Sequence, residues 1–261
     1  MKGWSIFAHS VGMVTRNLSE ALKIALVPVL IGFGVLAALM LMSGLSTGVL
    51  TDQAAMERMV QDGSMGALIL PFIITVIVLV VIELWVFVSW HRFILLEEYP
   101  SGWIPEFRLD RITAYFGSGL LIALIIIVTL IPVGMILGVA AAILSSVLPL
   151  TLFLMPLATM VIAYLIFYRL SPTLPAAAVG ESLKLGEAWV FTTGANGTLL
   201  VTGVSTAVVQ FLLQYVGGLS MAVFPPLGIA FQLLTALVMS LVNVSILTTI
   251  YGHYVEGRPI D

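Results

Sequence analysis

The sequence predicts an all-α integral membrane protein whose six transmembrane helices form three hairpins, introduced by amphipathic cytoplasmic helices. Three observations carry that prediction. Hydrophobic residues make up 61% of the 261-residue chain and charged residues 9%, with a mean hydropathy of +1.17. A water-soluble domain carries about 25% charged residues, and so few could not cover its surface. Six stretches reach the ~20 apolar residues that a helix needs to cross a hydrocarbon core: roughly 25–46, 66–90, 117–146, 149–170, 196–218 and 225–251. None alternates as a barrel strand does, and a backbone in lipid must satisfy its hydrogen bonds within the segment, so each is read as helix.

The chain begins with an amphipathic segment. Trp4, Phe7, Val11, Val14, Leu18 and Leu22 recur at spacings of three and four and make one apolar stripe, while His9, Arg16, Asn17, Glu20 and Lys23 fall mostly opposite. That pattern suits an interfacial helix lying along the membrane surface. The first span follows too late, and without a small-residue cleavage site, to read as a removed signal. A short turn with Asp52, Glu57, Arg58 and Asp62 leads to the second span. A second amphipathic segment is expected at about 104–116 and a third at about 181–194. The third span is long and holds Pro132, Gly134 and Gly138, which predicts a tilt or a kink. Gly134 and Gly138 make a small-xxx-small pattern suited to close packing within the chain.

Loop charge predicts orientation. Lys2, Arg16, Lys23, Arg92, Arg108, Arg111, Arg169, Lys184 and Arg258 lie on one side of the membrane, which is nine of the ten basic residues. Arg58 stands alone on the other. The positive-inside rule then places both termini in the cytoplasm.

The same plan recurs three times, over about 1–100, 101–180 and 181–261, within a single transmembrane domain covering 1–261. Each unit has a polar lead-in, a span, an outer turn and a returning span. The returning spans end on Trp90-His91-Arg92, Tyr168-Arg169 and Tyr251-Gly252-His253. Aligning His91, Tyr168 and Tyr251 places Glu83, Met160 and Asn243 at one depth, each eight residues earlier.

Glu83 is the most informative candidate. It lies inside an apolar run about 10 Å from Trp90 along a helix. A charge at mid-membrane costs ~2.5–3.5 kcal/mol on insertion scales, so such a residue faces a partner or a wet cavity. One reading is a proton, cation or lipid-amine site; the other is a carboxyl that locks helix packing, with Asn243 as the expected partner. Gln210, Gln214, Gln232, Ser240 and Thr75 add further polar groups within spans. They line a path only if they converge, and interhelical bonds from such groups are worth only ~0.6 kcal/mol on average.

At the membrane boundary, His91, Arg92, Glu97 and Glu98 form the densest polar cluster, read first as an interfacial anchor. Arg16, Arg92, Arg108, Arg111 and Arg169, with His91, are the candidates for contact with lipid headgroups, their guanidinium groups suiting phosphate. A net charge of −3 excludes the basic footprint of a nucleic-acid binder. With no cysteine there is no thiolate chemistry. The three histidines show no metal-binding spacing, and no phosphate loop or nucleophile elbow occurs. No metal, no cofactor and no catalytic residue are expected. An intramembrane enzyme would need His9, His91 or His253 to meet carboxylates at the cytoplasmic surface.

Two stretches resemble a known group. Arg169-Leu-Ser-Pro-Thr-Leu-Pro-Ala-Ala-Ala-Val-Gly180, followed by Leu185-Gly-Glu-Ala-Trp189 and Thr193-Gly-Ala-Asn196, is similar to the cytoplasmic connection of six-span bacterial membrane proteins. That group includes the membrane domain associated with some glycerophosphodiester phosphodiesterases and related proteobacterial inner-membrane proteins. Trp90-His-Arg-Phe-Ile-Leu-Leu-Glu-Glu98 looks like the equivalent connection in proteobacterial members. The resemblance implies the six-span plan and a bacterial inner membrane. It carries over no catalytic residue, because the phosphodiesterase chemistry of the fused proteins belongs to a separate soluble barrel. The expected function is that of a non-enzymatic accessory, scaffold or lipid-interacting component. The alternative is a small transporter, channel or lipid-moving protein with Glu83 and Asn243 in its pathway. Expected partners are membrane lipids and another integral membrane protein or complex.

Overall fold

The computed structural model describes residues 2–42, 54, 57, 58, 61 and 66–260. Among them the elements are α1 (Lys2–Arg16), α2 (Leu18–Met42), α3 (Gly66–Leu96), α4 (Leu109–Leu144), α5 (Thr151–Leu170), α6 (Thr173–Val179), α7 (Leu185–Phe191), α8 (Asn196–Val223) and α9 (Pro225–Tyr254). Six segments are long and apolar enough to cross a membrane: Leu18–Met42, Ile69–Leu96, Leu109–Leu144, Thr151–Val179, Asn196–Val223 and Pro225–Tyr254. The chain is therefore an all-helical, multi-pass membrane protein. Most of the turn expected to hold Asp52 and Asp62 lies outside the described residues.

Local chemistry sets the breaks between helices. The α1–α2 break falls at Asn17, whose side-chain amide donates to the Met13 carbonyl at 2.8 Å while its own carbonyl accepts from Ala21. The last turn of α3 ends at Glu97, which adopts a left-handed φ of 55°, and the Glu98 amide reaches back to the Arg92 carbonyl. Gly180, at φ 93°, closes α6, with the amides of Gly180 and Glu181 both on the Ala176 carbonyl. Phe224 is extended, and Pro225 opens α9 where a missing N–H costs nothing.

Sequential helices pair. The α2–α3, α4–α5 and α8–α9 hairpins each pack along their length. The last helix, α9, also packs on α1, α3 and α6, while the α4–α5 hairpin joins the bundle through α3, α6 and α8. In its most apolar window 56% of α9 is buried, against 6% for α4, so α9 is the central helix and α4 a peripheral one. Trp90, Ile24, Ile122, Leu199, Ile246 and Ile250 fill the core.

The structure departs from three sequence expectations. The α1 helix does not lie free along a surface: it packs on α8 and α9, burying Gly3, Ile6, Phe7, Ser10 and Val14. Trp4 and Leu18, two members of the expected apolar stripe, are 53% and 52% exposed and take no part in that packing. Small residues decide this face, because Gly3 sits so close to the Thr198 carbonyl that no side chain would fit, and Thr202 donates to the Gly3 carbonyl at 3.1 Å. Residues 101–108 are not helical, and the third spanning helix starts at Leu109, eight residues before the expected position. Finally, 171–178, expected as part of a cytoplasmic connection, is largely buried and forms α6 between α3, α4 and α9. Its Pro, Thr and Ala side chains are small enough to fit there.

Candidate functional site

Three regions gather polar side chains of the spans, and α9 contributes to each. The first is a buried network near the Arg92 end of α3. Trp90 donates from its indole nitrogen to the Ser245 hydroxyl at 2.8 Å, and Ser245 donates on to the Leu241 carbonyl at 2.7 Å. His91 places Nδ1 2.9 Å from the Thr248 hydroxyl and Nε2 3.3 Å from the Tyr115 hydroxyl. Thr248 also donates to the Val244 carbonyl, so its oxygen accepts from Nδ1–H, which leaves Nε2 to accept from Tyr115. The Ser10 and Thr249 hydroxyls lie 3.0 Å apart and tie α1 to the same stretch of α9. His91, expected as an interfacial anchor, is fully buried instead. Among the described residues no buried side-chain polar atom lacks a hydrogen-bond partner.

Around this network lies a layer of charge. Glu98 accepts from Arg92 with one oxygen and from Arg108 with the other, at 2.9 Å and 3.0 Å. Arg92 also donates to the Ala178 carbonyl of α6, and Arg108 to Glu106 at 2.7 Å. Partial burial alone would raise the Glu98 carboxyl, but the hydrogen bonds and charges of the two guanidinium groups outweigh it and hold the carboxyl below its ordinary range. Arg111 pairs with Asp110 at 2.9 Å and lies against Gly180. Arg169 stacks 3.6 Å over the Trp189 ring and donates to the Trp189 carbonyl at 2.7 Å. Arg16 folds back over Gly12. The headgroup candidates thus sit at one end of the bundle, and most are engaged with residues of the chain itself.

The second region is a groove between α2, α3 and α9, with a cavity of about 430 Å³. Its walls are Val29, Gly32, Phe33 and Leu36 from α2, Leu79, Ile82, Glu83 and Val86 from α3, and Leu233, Ala236, Leu237, Ser240 and Leu241 from α9. Glu83 is exposed into this groove, and no residue among those described hydrogen-bonds or ion-pairs with it. Asn243, its expected partner, is half-buried on α9, lines no part of the groove and makes no bond to Glu83. Glu83 stands nine residues from Arg92, about 13 Å along the helix. Glu83 therefore lies well inside the apolar stretch Ile69–Leu96, and the charged layer lies at its Arg92 end. The volume falls in the ~300–1,000 Å³ typical of small-molecule sites, which are mostly apolar with a few placed polar groups.

The third region is a notch of about 420 Å³ between α8 and α9, lined by Gln210, Leu213, Gln214, Gln232, Thr235, Ala236 and Met239. Gln210 and Gln232, singled out by type, do converge, and Gln214 joins them. Ala236 lines both the groove and the notch. Ser240, named among the polar groups of the spans, lies in the groove wall, whereas the Ser245–Thr248–Thr249 run was not recognised as site-forming. The signal was present as hydroxyls recurring at spacings of three, four and five along the last span.

Among the described residues no three His, Asp or Glu side chains gather as metal ligands would. Comparison with protein-family models, with curated proteins and with solved structures finds no match for the chain.

Proposed function

We propose that the chain is a non-enzymatic, lipid-interacting accessory protein of the bacterial cytoplasmic membrane, with both termini in the cytoplasm. In this reading the α2–α3–α9 groove holds a lipophilic molecule whose compact head bears a hydroxyl or an amine. The observation that carries the proposal is a groove with apolar walls and a single carboxyl, Glu83, that has no partner among the described residues. A carboxyl at that depth is costly unless something donates to it, and an occupant's O–H or N–H would offset that cost. Phospholipid headgroups belong at the boundary, about 13 Å from Glu83, whereas a compact head follows its tail inward. Binding is favoured over catalysis because the apolar wall adds only the Ser240 hydroxyl to Glu83. A transport pathway through Glu83 and Asn243 draws less support, since Asn243 lies outside the groove. The excess of basic residues on one side supports the orientation, and the resemblance of the 169–196 connection supports the bacterial membrane.

The test is extraction from native membranes directly into lipid nanodiscs, followed by mass spectrometry of what stays bound. A small-headed alcohol or amine retained by the wild type and lost from Glu83→Leu is the expected result. Glu83→Gln separates the two heads, because an amide oxygen still accepts from a hydroxyl but offers no charge to an ammonium. Equal retention by wild type and Glu83→Leu, or no small-headed lipid on the wild type, overturns the proposal.

A further inference from the structure

The notch between α8 and α9 presents a different problem from the groove. Gln210, Gln214 and Gln232 are exposed, and none of the three amides hydrogen-bonds to a described residue. Thr235 offers no donor, since its one hydroxyl proton is shared between the Phe231 and Gln232 carbonyls, and it adds only an acceptor oxygen. Counting from the turn at Phe224, Gln232 is seven residues into α9, and Gln214 and Gln210 lie nine and thirteen residues back from Val223. At 1.5 Å per residue those depths are about 10, 14 and 20 Å, within a hydrocarbon core about 30 Å thick. An amide without a partner in such a medium costs roughly 4–8 kcal/mol against water on the cyclohexane scale. Three side by side demand an occupant.

The demand is specific. Each carboxamide offers two donors and an oxygen acceptor, so the notch needs both kinds of group, spread over about 10 Å of depth. A lipid tail supplies neither, and a compact lipid head supplies one or two groups at a single depth. A second copy of this chain, related by a two-fold axis along the membrane normal, brings the same three amides to the same depths. Donor then meets acceptor in both directions, because a two-fold interface is self-complementary. The neighbouring face allows close approach: Ala207 and Gly218 lie on α8 one turn either side of the Gln210–Gln214 pair, both are exposed, and nothing lies within 4 Å of a Cβ placed at Gly218. We infer that the Gln210–Gln214–Gln232 notch is a self-association site at which two copies pair α8–α9 hairpins through reciprocal amide hydrogen bonds.

The chain has no cysteine, so a single introduced thiol reports on this interface without background. In native membranes treated with a mild oxidant, Ala207→Cys and Gly218→Cys are expected to form a disulfide-linked species of twice the chain mass. Leu120→Cys, on the exposed face of peripheral α4, is expected to remain monomeric. Adding Gln210→Leu, Gln214→Leu and Gln232→Leu together is expected to reduce crosslinking at both reporter positions at least tenfold. Insertion and folding of that triple variant are checked by its helical circular dichroism and its monodisperse elution in detergent. Crosslinking that survives the triple substitution overturns the proposal. So do reporters that stay monomeric in the wild-type background, as a water-filled notch predicts, and crosslinking to a species of another mass, as a different partner protein predicts.

Discussion

Ser245→Ala tests whether the buried network holds α3 to α9 by hydrogen bonding or merely sits in a well-packed core. Trp90 is fully buried, and its indole N–H has the Ser245 hydroxyl, 2.8 Å away, as acceptor. The substitution removes one oxygen atom, so the cavity is small, and Ser245's own bond to the Leu241 carbonyl is a local one that the helix does not need. The dominant loss is therefore the orphaned indole donor. A buried donor left unsatisfied costs about 1–3 kcal/mol, and in an apolar bundle no water replaces it. Trp90→Phe removes the donor itself, so in that background Ser245→Ala is expected to cost under about 0.5 kcal/mol. The assay is a double-mutant cycle on unfolding free energies, measured by steric trapping in bicelles. A coupling of about 1 kcal/mol or more is the expected outcome. An equal cost of Ser245→Ala in both backgrounds would refute the reasoning and assign the effect to packing alone.

Other perturbations follow from the same geometry. Because the two arginines lower the Glu98 carboxyl in the folded chain, its contribution to stability is complete above its unfolded pKa and is lost as pH falls through the lower folded value. Acid titration of the unfolding midpoint is expected to show an extra fall below the ordinary carboxylate range that Glu98→Gln lacks. Identical acid profiles would remove Glu98 from the account. Gly180→Ala places a Cβ at a left-handed φ and 2.5 Å from the Arg111 guanidinium; it is expected to cost at least ~1–2 kcal/mol, read from thermal unfolding. Glu97→Gly has the opposite sign, since Glu97 occupies φ 55° with a side chain, and a gain of up to ~1 kcal/mol is expected. Arg169→Lys keeps the charge but loses the planar stack on Trp189, which at a partly exposed site is worth about 0.5–1 kcal/mol; tryptophan emission from Trp189 is expected to shift with it.

Hydropathy and loop charge made the six spans legible to within a few residues at most boundaries, and the second and third hairpins followed from their short connections. Which face of each span points inward was much less legible. In a soluble protein the apolar stripe marks the core, but in lipid the core and the surroundings are equally apolar. The α1 stripe misled for a related reason. Trp4 and Leu18 are large and apolar, yet the face that packs is the one where Gly3 and Ser10 permit approach. His91 was placed at the boundary because it neighbours Arg92. Its burial depends on Thr248 and Tyr115, which lie 157 and 24 residues away and could not be paired with it from spacing. The 171–178 segment was read only as part of a cytoplasmic connection, although residues as small as Ala176 and Ala178 are what a crowded interior accepts. Gln210 and Gln232 were recognised by type, while their convergence with Gln214 needed the α8–α9 pairing.

The polar side chains separate by whether the chain satisfies them, and that division bears on function. At the Arg92 end, Trp90, His91, Tyr115, Ser245 and Thr248 bond one another or nearby carbonyls, and Arg92, Arg108 and Glu98 form a closed set around them. Groups satisfied in this way hold helices together, and lipid offers no hydrophobic force that would do so in their place. Glu83 and the three glutamines lack that closure, and they stand on either side of α9 where the surrounding helices leave it uncovered, divided by Ala236. Intramembrane polar groups are expensive enough that those a protein leaves unsatisfied at depth are best understood through what approaches from outside. A single carboxyl in an apolar groove suits one donor on a lipophilic molecule. Three amides stacked in depth suit another set of amides. On the two proposals made above, the two flanks of the same helix take different occupants, a small lipid on one and a second copy of the chain on the other.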